Sequence, residues 1–284
     1  MITKNEFNHS DIKAFEPENK IGLLATVNEK SQAHITMIST LQAKSPKELV
    51  WGQFSEGLSK ENVKNNPKTA FLIMNLQRKL WRGKALWKYE KKEGEEYIKF
   101  NKLPMWRYNS YFGIHTIHYM ELIETTEQQS LPVAGIAFSA ILTKIAKPAA
   151  VTKIKDQIMN NWTETFFNKL DTLKFLSYVS ADGFPTLIPL LQCQAADSRR
   201  LVFNPQVYGN ELLTIKSGSE LTVFALSIDM KDVLVRGIFK GFKKHRGISL
   251  GSIDINWVYN SMPPVAGQLY PEQKIETVVD FSSI

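Results

Sequence analysis

The sequence contains very little cysteine. Cys193 is its only one among 284 residues, which excludes an internal disulfide and any zinc or iron–sulfur site that needs several cysteines from this chain. We interpret Cys193 as a small, buried, apolar residue. A protein without disulfides also fits a reducing compartment.

Long hydrophobic runs are missing as well. The longest, residues 133–142, has about half the length that a membrane-spanning helix requires, and we expect it to be a buried helix or strand that covers the first domain. The N-terminal segment up to Lys20 lacks the apolar core of a signal peptide. These two observations predict a soluble, cytoplasmic protein that does not act on a membrane.

Positive charge exceeds negative charge. The chain has 35 Lys and Arg against 28 Asp and Glu, a net charge of +7, which could serve nucleic acid, a membrane surface or an anionic small molecule. Much of the excess lies in residues 78–107, and we interpret it as the solvated face of hairpin loops. No nucleic-acid-binding module is visible, so no nucleic-acid partner is predicted.

The most informative stretch is residues 49–83. A short apolar strand leads through a loop containing Gly and Ser into a short helix that begins near Ser59 and Lys60, and a second apolar strand ends in Trp81-Arg82-Gly83. A serine-bearing loop that opens a helix brings hydroxyls, a lysine and unpaired backbone N–H groups to the positive end of that helix. This arrangement is typical of a phosphate site and predicts an anionic cofactor.

A weaker copy of this stretch follows later in the chain. Residues 201–203 match residues 49–51 at an offset of 152, Gly209 matches Gly57 at the same offset, and Val235-Arg236-Gly237 follows Trp81-Arg82-Gly83 at 154. The repeat predicts an internal duplication with two domains, residues 1–147 and 148–284. Residues 204–210 lack the Ser-Lys pair, so the second copy is expected to hold no cofactor.

Hydrophobic periodicity predicts mostly short strands with a few helices. The helices are expected at 5–20 and 151–170, and the strands at 21–28, 33–41, 49–51, 69–74, 84–89 and 114–123 in the first copy and at 186–192, 200–203, 221–228, 233–240 and 253–259 in the second. Residues 104–113 carry four aromatic side chains and one arginine. This density suits either a contact surface for a flat ring or plain core.

Taken together, these features resemble the pyridoxamine 5'-phosphate oxidase family of FMN-binding split barrels. The resemblance is carried by the strands from residues 24 and 33, by Ser59-Lys60-Glu61-Asn62, by Asn66-Pro67 and by Trp81-Arg82-Gly83. It covers roughly residues 20–125, with a fainter match over 170–260. It implies a mainly β fold of two six-stranded antiparallel split barrels, packed as an intrachain pseudo-dimer with FMN in the groove between them.

The resemblance also implies a site. The FMN phosphate would be held by Ser55, Ser59, Lys60 and Arg82, with Asn62 ordering the loop, while Met37 and Ser39 would lie along the flavin ring. Residues of the opposing barrel would close the site, and for these we predict Gln192 and Arg236. The implied activity is a flavin-dependent oxidoreductase that acts on a small molecule, with a nicotinamide as electron donor and no assigned catalytic residue.

Several alternatives remain open from the sequence. Ser59 could be a helix N-cap, and Arg82 and Arg236 could be salt-bridged strand residues. His115 and His118 are three apart on a predicted strand, so they face opposite sides and predict no shared metal site, although either could ligate a haem. A non-enzymatic ligand-binding or sensor protein, and a split barrel that uses deazaflavin or haem, are the alternative functions. The chain is expected to be a monomer with an intrachain pseudo-dimer, or a homodimer.

Overall fold

A computed structural model describes residues 2–54, 56–103, 113–152, 156–260 and 267–271. The fold is mainly β, as predicted, with two antiparallel sheets and few helices. The chain divides into two compact units, Met1–Leu131 with Val179–Leu187, and Pro132–Tyr178 with Ile188–Ile284. None of the helices in the described ranges combines the length and the apolar character that crossing a membrane requires.

The first unit contains nine strands and three helices within its described residues. These are β1 (Thr3–Lys4), α1 (His9–Phe15), β2 (Lys20–Val27), β3 (Ala33–Met37), β4 (Gln42–Ser45), β5 (Glu48–Gln53), α2 (Leu58–Asn65), β6 (Lys68–Asn75), β7 (Lys79–Lys91), α3 (Glu95–Lys102), β8 (Thr116–Thr126) and β9 (Gln129–Ser130).

The sheet of the first unit closes on itself. Its strand order is β3-β2-β6-β7-β8-β5-β4, and the two strands at its ends are separated along the chain by residues 38–41 alone. They are therefore the two halves of one interrupted strand, and counting them together gives the six strands that the sequence predicts. The Thr40 hydroxyl accepts from the Gly52 N–H and donates to the Gly52 carbonyl, both at 2.9 Å, which ties the interruption to β5.

The core of this barrel follows from the alternation of side chains along each strand. Trp81 and Ala85 on β7 lie in the core with Phe71 on β6, while Arg82 lies on the opposite face. Gly83 lies on the Trp81 side, where a Cβ would sit 2.0 Å from the Glu124 carbonyl oxygen and 2.7 Å from the Phe71 ring. Only glycine allows this close approach between β7 and its neighbours.

The second unit contains eight strands and three α-helices within its described residues. These are α4 (Val133–Ala146), α5 (Asn161–Asn168), β10 (Leu173–Ser177), β11 (Ile188–Pro189), β12 (Gln194–Asp197), β13 (Arg200–Phe203), α6 (Gly209–Leu212), β14 (Glu220–Leu226), β15 (Asp232–His245), β16 (Ile248–Asn260) and β17 (Gly267–Tyr270), with a 3-10 turn at Lys147–Ala149 after α4.

The two units share one topology. The second sheet has the order β11-β10-β14-β15-β16-β13-β12, which is the order of the first with each strand replaced by its counterpart. Individual backbone hydrogen bonds of the first unit recur in the second at the offset of 152 that the sequence repeat has. The bond from Ile38 N to Gly22 O is matched by the one from Leu190 N to Lys174 O. In the same way, Phe7 N to Pro46 O is matched by Met159 N to Ser198 O, and Trp87 N to Pro67 O by Phe239 N to Ser219 O.

Two predicted helices are much shorter in the structure. The helix expected at 5–20 is confined to α1, because Asn8 caps its start and Pro17 follows its end. The helix expected at 151–170 is reduced to α5, whose N-cap Asn160 accepts a hydrogen bond from the Thr163 N–H at 2.9 Å. The strand expected at 186–192 is only β11, because the interruption of the second barrel begins at Leu190.

The division between the units also differs from the predicted boundary at 147. Helix α4 belongs to the second unit, where it packs against β12, β13 and β16. Ser139 donates to the Asn204 side chain at 2.9 Å, and Gln194 donates to the Ala140 carbonyl at 2.8 Å. The apolar run at 133–142 is thus a helix, which is one of the two expected forms, and it packs against the second barrel, whereas the prediction assigned it to the first.

Cys193 lies in the core of the second unit with no exposed surface. Burial raises the pKa of its thiol to about 12, so the thiol stays protonated and behaves as a small apolar group. This confirms its interpretation as a buried apolar residue.

Candidate functional site

Helix α2 is fixed to the first barrel by a buried polar contact. It packs against β2 and β3, and the Asn62 amide donates to the Thr26 hydroxyl on β2 at 3.0 Å. Asn62 and Val63 are both buried. Asn62 therefore ties α2 to β2, and its part in ordering a phosphate loop stays a prediction.

The start of α2 has no side-chain cap. Its N-cap residue is Gly57, so the alternative interpretation of Ser59 as the N-cap is wrong, and Ser59 lies inside the first turn. The Ser59 hydroxyl is buried, with 2% of the residue exposed, and has no hydrogen-bond partner among the described residues. A buried hydroxyl left unbonded costs about 1–3 kcal/mol, which makes it a candidate contact for a bound group.

Lys60 extends over the same helix start. A Cβ added to Gly57 would lie 3.8 Å from its Nζ, and the side chain is partly buried. Burial lowers the pKa of Lys60, and the negative charge of Glu56 partly opposes that effect. Within the ranges that the structure describes, Lys60 has no ion pair or hydrogen bond from its ammonium, so an anion at the helix start would supply one.

A buried histidine lies close to this helix start. His118 has no exposed surface, stacks on the Trp51 ring at 3.7 Å, and bonds the Gln53 side chain through Nε2 at 2.8 Å. Trp87 donates to its Nδ1 at 3.1 Å. Because a tryptophan N–H can only donate, Nδ1 is the acceptor and the proton lies on Nε2, so the ring is neutral.

Electrostatics agree with a neutral ring. Burial, with smaller contributions from Lys60 and Lys64, lowers the pKa of His118 to about 3. The Glu90 carboxylate, 3.6 Å from Nδ1, is therefore a polar neighbour of this ring and not its ion-pair partner. Both ring nitrogens of His118 are bonded within the protein, so neither is placed to ligate a haem. The residues that the structure describes include no group of three or more His, Cys, Asp or Glu that could hold a metal.

The low pKa of His118 predicts a pH-dependent stability. The folded-state pKa lies below the unfolded value of 6.5, so the unfolded chain binds more protons and the stabilisation present above pH 6.5 is lost as the pH falls towards 3. Between pH 6.5 and 5, we expect the free energy of unfolding to fall by about 2 kcal/mol from this residue. Urea unfolding at both pH values measures the loss, and NMR titration of the His118 ring assigns it. A ring that titrates near 6.5 in the folded protein would contradict the network.

Arg82 has hydrogen-bond partners of its own. It is buried on β7, which is separated from β2 by β6. Its guanidinium donates to the Leu187 carbonyl at 2.9 Å and lies 3.4 Å from the Gln129 amide oxygen. Arg82 is therefore a hydrogen-bonded strand residue, as one of the alternatives had it, and its part in holding a phosphate stays a prediction.

The remaining predicted residues of the first unit lie on or near β3. Met37 is the last residue of β3, against which α2 packs, and Ser39 lies in the interruption between β3 and β4; both are half-buried. The structure thus places Met37 on a strand adjoining the helix of Ser59 and Lys60. Ser55 and most of the aromatic segment, residues 104–112, lie outside the described residues.

Gln192 and Arg236 both have contacts inside the second unit. Gln192 is the counterpart of Thr40 at the offset of 152, is fully buried, and donates to the Asn204 carbonyl at 3.1 Å, as Thr40 does to Gly52. The Arg236 guanidinium lies 4.3 Å from the centre of the Trp257 ring, and its Nε is 3.6 Å from the Glu220 carboxylate. Their role in closing a flavin site stays a prediction.

Among the residues that the structure describes, the second unit has no counterpart of the Ser59-Lys60 pair. At an offset of 152, Ser59 and Lys60 correspond to Glu211 and Leu212 in α6, a helix of four residues. Leu212 is fully buried in the core. A carboxylate and a buried leucine cannot hold a phosphate.

Sequence reasoning missed the contacts that join His118 to Trp51, Gln53 and Trp87. Trp51 and His118 are directly opposite each other on β5 and β8, so the stacking follows from the register of two strands that are distant in the chain. The pairing of β5 with β8 would have revealed this contact, but it cannot be deduced from the sequence of either strand alone.

No family model and no curated protein matches this chain. Among solved structures, it is similar to an FMN-binding protein from Syntrophomonas wolfei subsp. wolfei, with 16% identity, a TM-score of 0.38 and coverage of 43% of this chain and 84% of that one. It is also similar to a candidate pyridoxamine 5'-phosphate oxidase from Lactobacillus delbrueckii, with 17% identity, a TM-score of 0.35 and coverage of 44% and 96%. An FAD-binding protein from Mesorhizobium loti matches with 14% identity, a TM-score of 0.31 and coverage of 46% and 100%. Each of the three matches covers less than half of this chain with a TM-score below 0.5, so none of them decides its fold or its activity.

Proposed function

We propose that this chain is a tandem duplication of a pyridoxamine 5'-phosphate oxidase-like split barrel, and that its first unit binds FMN by the phosphate at the start of α2. One observation carries the proposal. A buried Ser59 hydroxyl and a partly buried Lys60 ammonium lie at a helix start without a side-chain cap, and neither has a hydrogen bond among the described residues.

The chain's own residues would bind the phosphate in complementary ways. Ser59 would donate one hydrogen bond, Lys60 would supply the cation, and the N–H groups of the first turn of α2 would add the positive end of the helix. A dianion beside Lys60 would raise its pKa again and strengthen the contact. Asn62 keeps the helix on β2, Ser55 would add a second hydroxyl, and Met37 and Ser39 would lie beside the ring.

The proposed activity is a flavin-dependent oxidation or reduction of a small molecule in the cytoplasm. Bound FMN would supply the electron transfer, with a nicotinamide as the donor. The described residues of the chain would contribute binding, orientation and charge. His118 is neutral, buried and bonded at both nitrogens, so it has a structural role and does not serve as a proton donor. Loss of the visible flavin absorption on anaerobic addition of NADPH or NADH would support this activity, while an FMN complex that is never reduced would favour a binding or sensor protein.

The shared topology supports the duplication. Matching strand order alone could arise twice, but hydrogen bonds that recur at one constant offset from Phe7 to Trp87 require the same loop lengths between the same elements. Common descent of the two halves accounts for this directly.

The proposal predicts one FMN for each chain. Only the first unit has the Ser-Lys pair, because Glu211 and Leu212 occupy the corresponding positions of the second. Calorimetric titration of the apoprotein with FMN measures the stoichiometry. A value of two would contradict the assignment to α2, and no binding would refute the proposed cofactor.

A further inference from the structure

A chain of side-chain hydrogen bonds leads from β7 of the first barrel to the residue that precedes the N-cap of α2. The Trp87 indole N–H donates to His118 Nδ1 at 3.1 Å, and His118 Nε2 lies 2.8 Å from the Gln53 side-chain oxygen. Gln53 in turn donates through its Nε2 to the Glu56 carboxylate at 2.8 Å. The chain therefore joins side chains of β7, β8 and β5 to the start of α2.

Every hydrogen bond in this chain points in the same direction. A carboxylate can only accept and an indole N–H can only donate, so the two ends fix the orientation of the residues between them. Gln53 must present its amide N–H to Glu56 and its oxygen to His118, which agrees with the proton on Nε2 deduced above. All the donors thus lead to one anionic acceptor, the Glu56 carboxylate.

The last donor and its acceptor differ in burial. Gln53 is 5% exposed and His118 has no exposed surface, so the Gln53 N–H is held in place by buried neighbours. Glu56 is exposed, and holding an exposed charged side chain in one position contributes little to stability. A buried donor left without an acceptor is unfavourable. The Glu56 carboxylate can therefore be replaced at Gln53, provided that another acceptor takes its position.

Glu56 also lies beside the cation of the proposed phosphate site. It directly precedes Gly57, the N-cap of α2, and a Cβ on Gly57 would lie 3.8 Å from the Lys60 Nζ. Burial lowers the pKa of Lys60, and the negative charge of Glu56 opposes that effect. The start of a helix favours a negative charge. In the protein without ligand, the Glu56 carboxylate thus supplies part of the negative charge that Lys60 and the helix start favour.

We propose that Glu56 is a placeholder for the ligand phosphate, which displaces the Glu56 carboxylate from Gln53 on binding; this inference rests on the proposed function. Two anions at one helix start would repel each other, so the carboxylate leaves as the phosphate enters. A phosphate oxygen would then accept the hydrogen bond from Gln53, and the buried donor would keep an acceptor. Because moving Glu56 costs free energy, this residue limits how tightly the site binds any phosphate ligand.

Replacing Glu56 with glutamine in the full chain tests the proposal. Glu56→Gln removes the competing charge and keeps the length of the side chain, so we expect the Kd for FMN and that for inorganic phosphate to fall by about fivefold. Glu61→Gln is the matched control, because Glu61 is exposed in the first turn of the same helix and its replacement changes the net charge equally. Its Kd values should change by less than about twofold. Calorimetric titration of the apoprotein measures these constants.

A second measurement follows the hydrogen bond of Gln53 itself. The side-chain amide of Gln53 gives NMR signals that depend on its acceptor. We expect inorganic phosphate to shift these signals in the wild-type protein, because the acceptor changes from the Glu56 carboxylate to a phosphate oxygen. Signals that do not move at a phosphate concentration that saturates binding would show that Glu56 stays in place, and they would overturn the proposal.

The titrations distinguish a failure of this proposal from a failure of the proposed function. If the wild-type chain binds FMN and the affinities of Glu56→Gln and Glu61→Gln are equal, Glu56 is not a placeholder, whereas the phosphate site stands. Weaker FMN binding by Glu56→Gln would likewise overturn the proposal, since it would make Glu56 a residue that supports the site. If neither the wild type nor Glu56→Gln binds FMN or inorganic phosphate, the proposed function fails and the placeholder fails with it.

Discussion

Replacing Lys60 with alanine is expected to weaken FMN binding by about 10- to 100-fold. The variant removes the only cation at the start of α2 among the described residues of that helix turn, and a hydrogen bond to a charged group contributes about 1.5–3 kcal/mol. The helix itself should persist, because its attachment to β2 runs through Asn62. Titration of the apoprotein with FMN, followed by the quenching of flavin fluorescence, measures the change.

Two control variants separate a site effect from a general one. Lys64→Ala removes a lysine from the same helix, but that lysine is exposed and lies 3.2 Å from the Glu90 carboxylate, so FMN affinity should be nearly unchanged. Arg82→Ala removes the contact to Leu187 and should lower stability more than affinity. Unaltered FMN affinity in Lys60→Ala would refute the phosphate site. A large loss of FMN affinity in Lys64→Ala would show that binding depends on the total charge of the helix and not on Lys60 in particular.

Replacing Gly83 with alanine should be the most destabilising single methyl addition in the first barrel. The new Cβ would lie 2.0 Å from the Glu124 carbonyl oxygen on β8 and 2.7 Å from the Phe71 ring. The ring is packed in the core and the carbonyl belongs to the paired backbone of the sheet, so neither can move without disturbing its neighbours. We expect a loss of about 3 kcal/mol or more in the free energy of unfolding, measured by urea denaturation.

The chain offers matched comparisons for Gly83. Gly237, on β15 of the second unit, would put a Cβ 2.1 Å from the Asp254 carbonyl oxygen, and its alanine variant should be similarly destabilised. Gly209 opens α6, and its nearest neighbouring atom would be 3.9 Å away, so Gly209→Ala should leave stability unchanged or slightly raised. Equal urea midpoints for Gly83→Ala and Gly209→Ala would show that β7 and β8 are not this close.

Much of the fold could be predicted from local signals in the sequence. Alternating apolar residues predicted most of the strands. Helix α2 was expected from its loop and its periodicity. In each of these cases the information lies within a short segment of the chain, so tertiary contacts had little to change.

The errors arose where distant contacts decide. Apolar residues from Ile154 to Leu170 have helical spacing, yet Asn160 caps the helix in the middle of that pattern. Helix α4 was assigned to the wrong barrel because its polar partners, Asn204 and Gln194, are far away in the sequence. Neither outcome can be deduced from the periodicity of the segment itself.

The site was predicted unevenly for a similar reason. Ser59, Lys60 and Asn62 lie on one helix, so their proximity follows from their spacing. Arg82 was grouped with them only through the resemblance to a family, because it lies on β7 and its direction depends on which face of that strand it occupies. The contacts of His118 with Trp51, Gln53 and Trp87 could not be predicted in this way, because they depend on the register of the sheet.

The offset of 152 residues between equivalent positions of the two barrels is not maintained beyond β7 and β15. It is 152 from Trp87 to Phe239, but the bond from Leu122 N to Lys47 O corresponds to that from Ile255 N to Arg199 O, which sets β8 and β16 only 133 apart. The extra length of the first barrel falls in the connection between β7 and β8, which in the second barrel is a tight turn. Both lengths are compatible with the same closed sheet, so a fluorescent reporter or an affinity tag can be grafted into the exposed residues between β7 and α3, such as Glu93, without interrupting a strand.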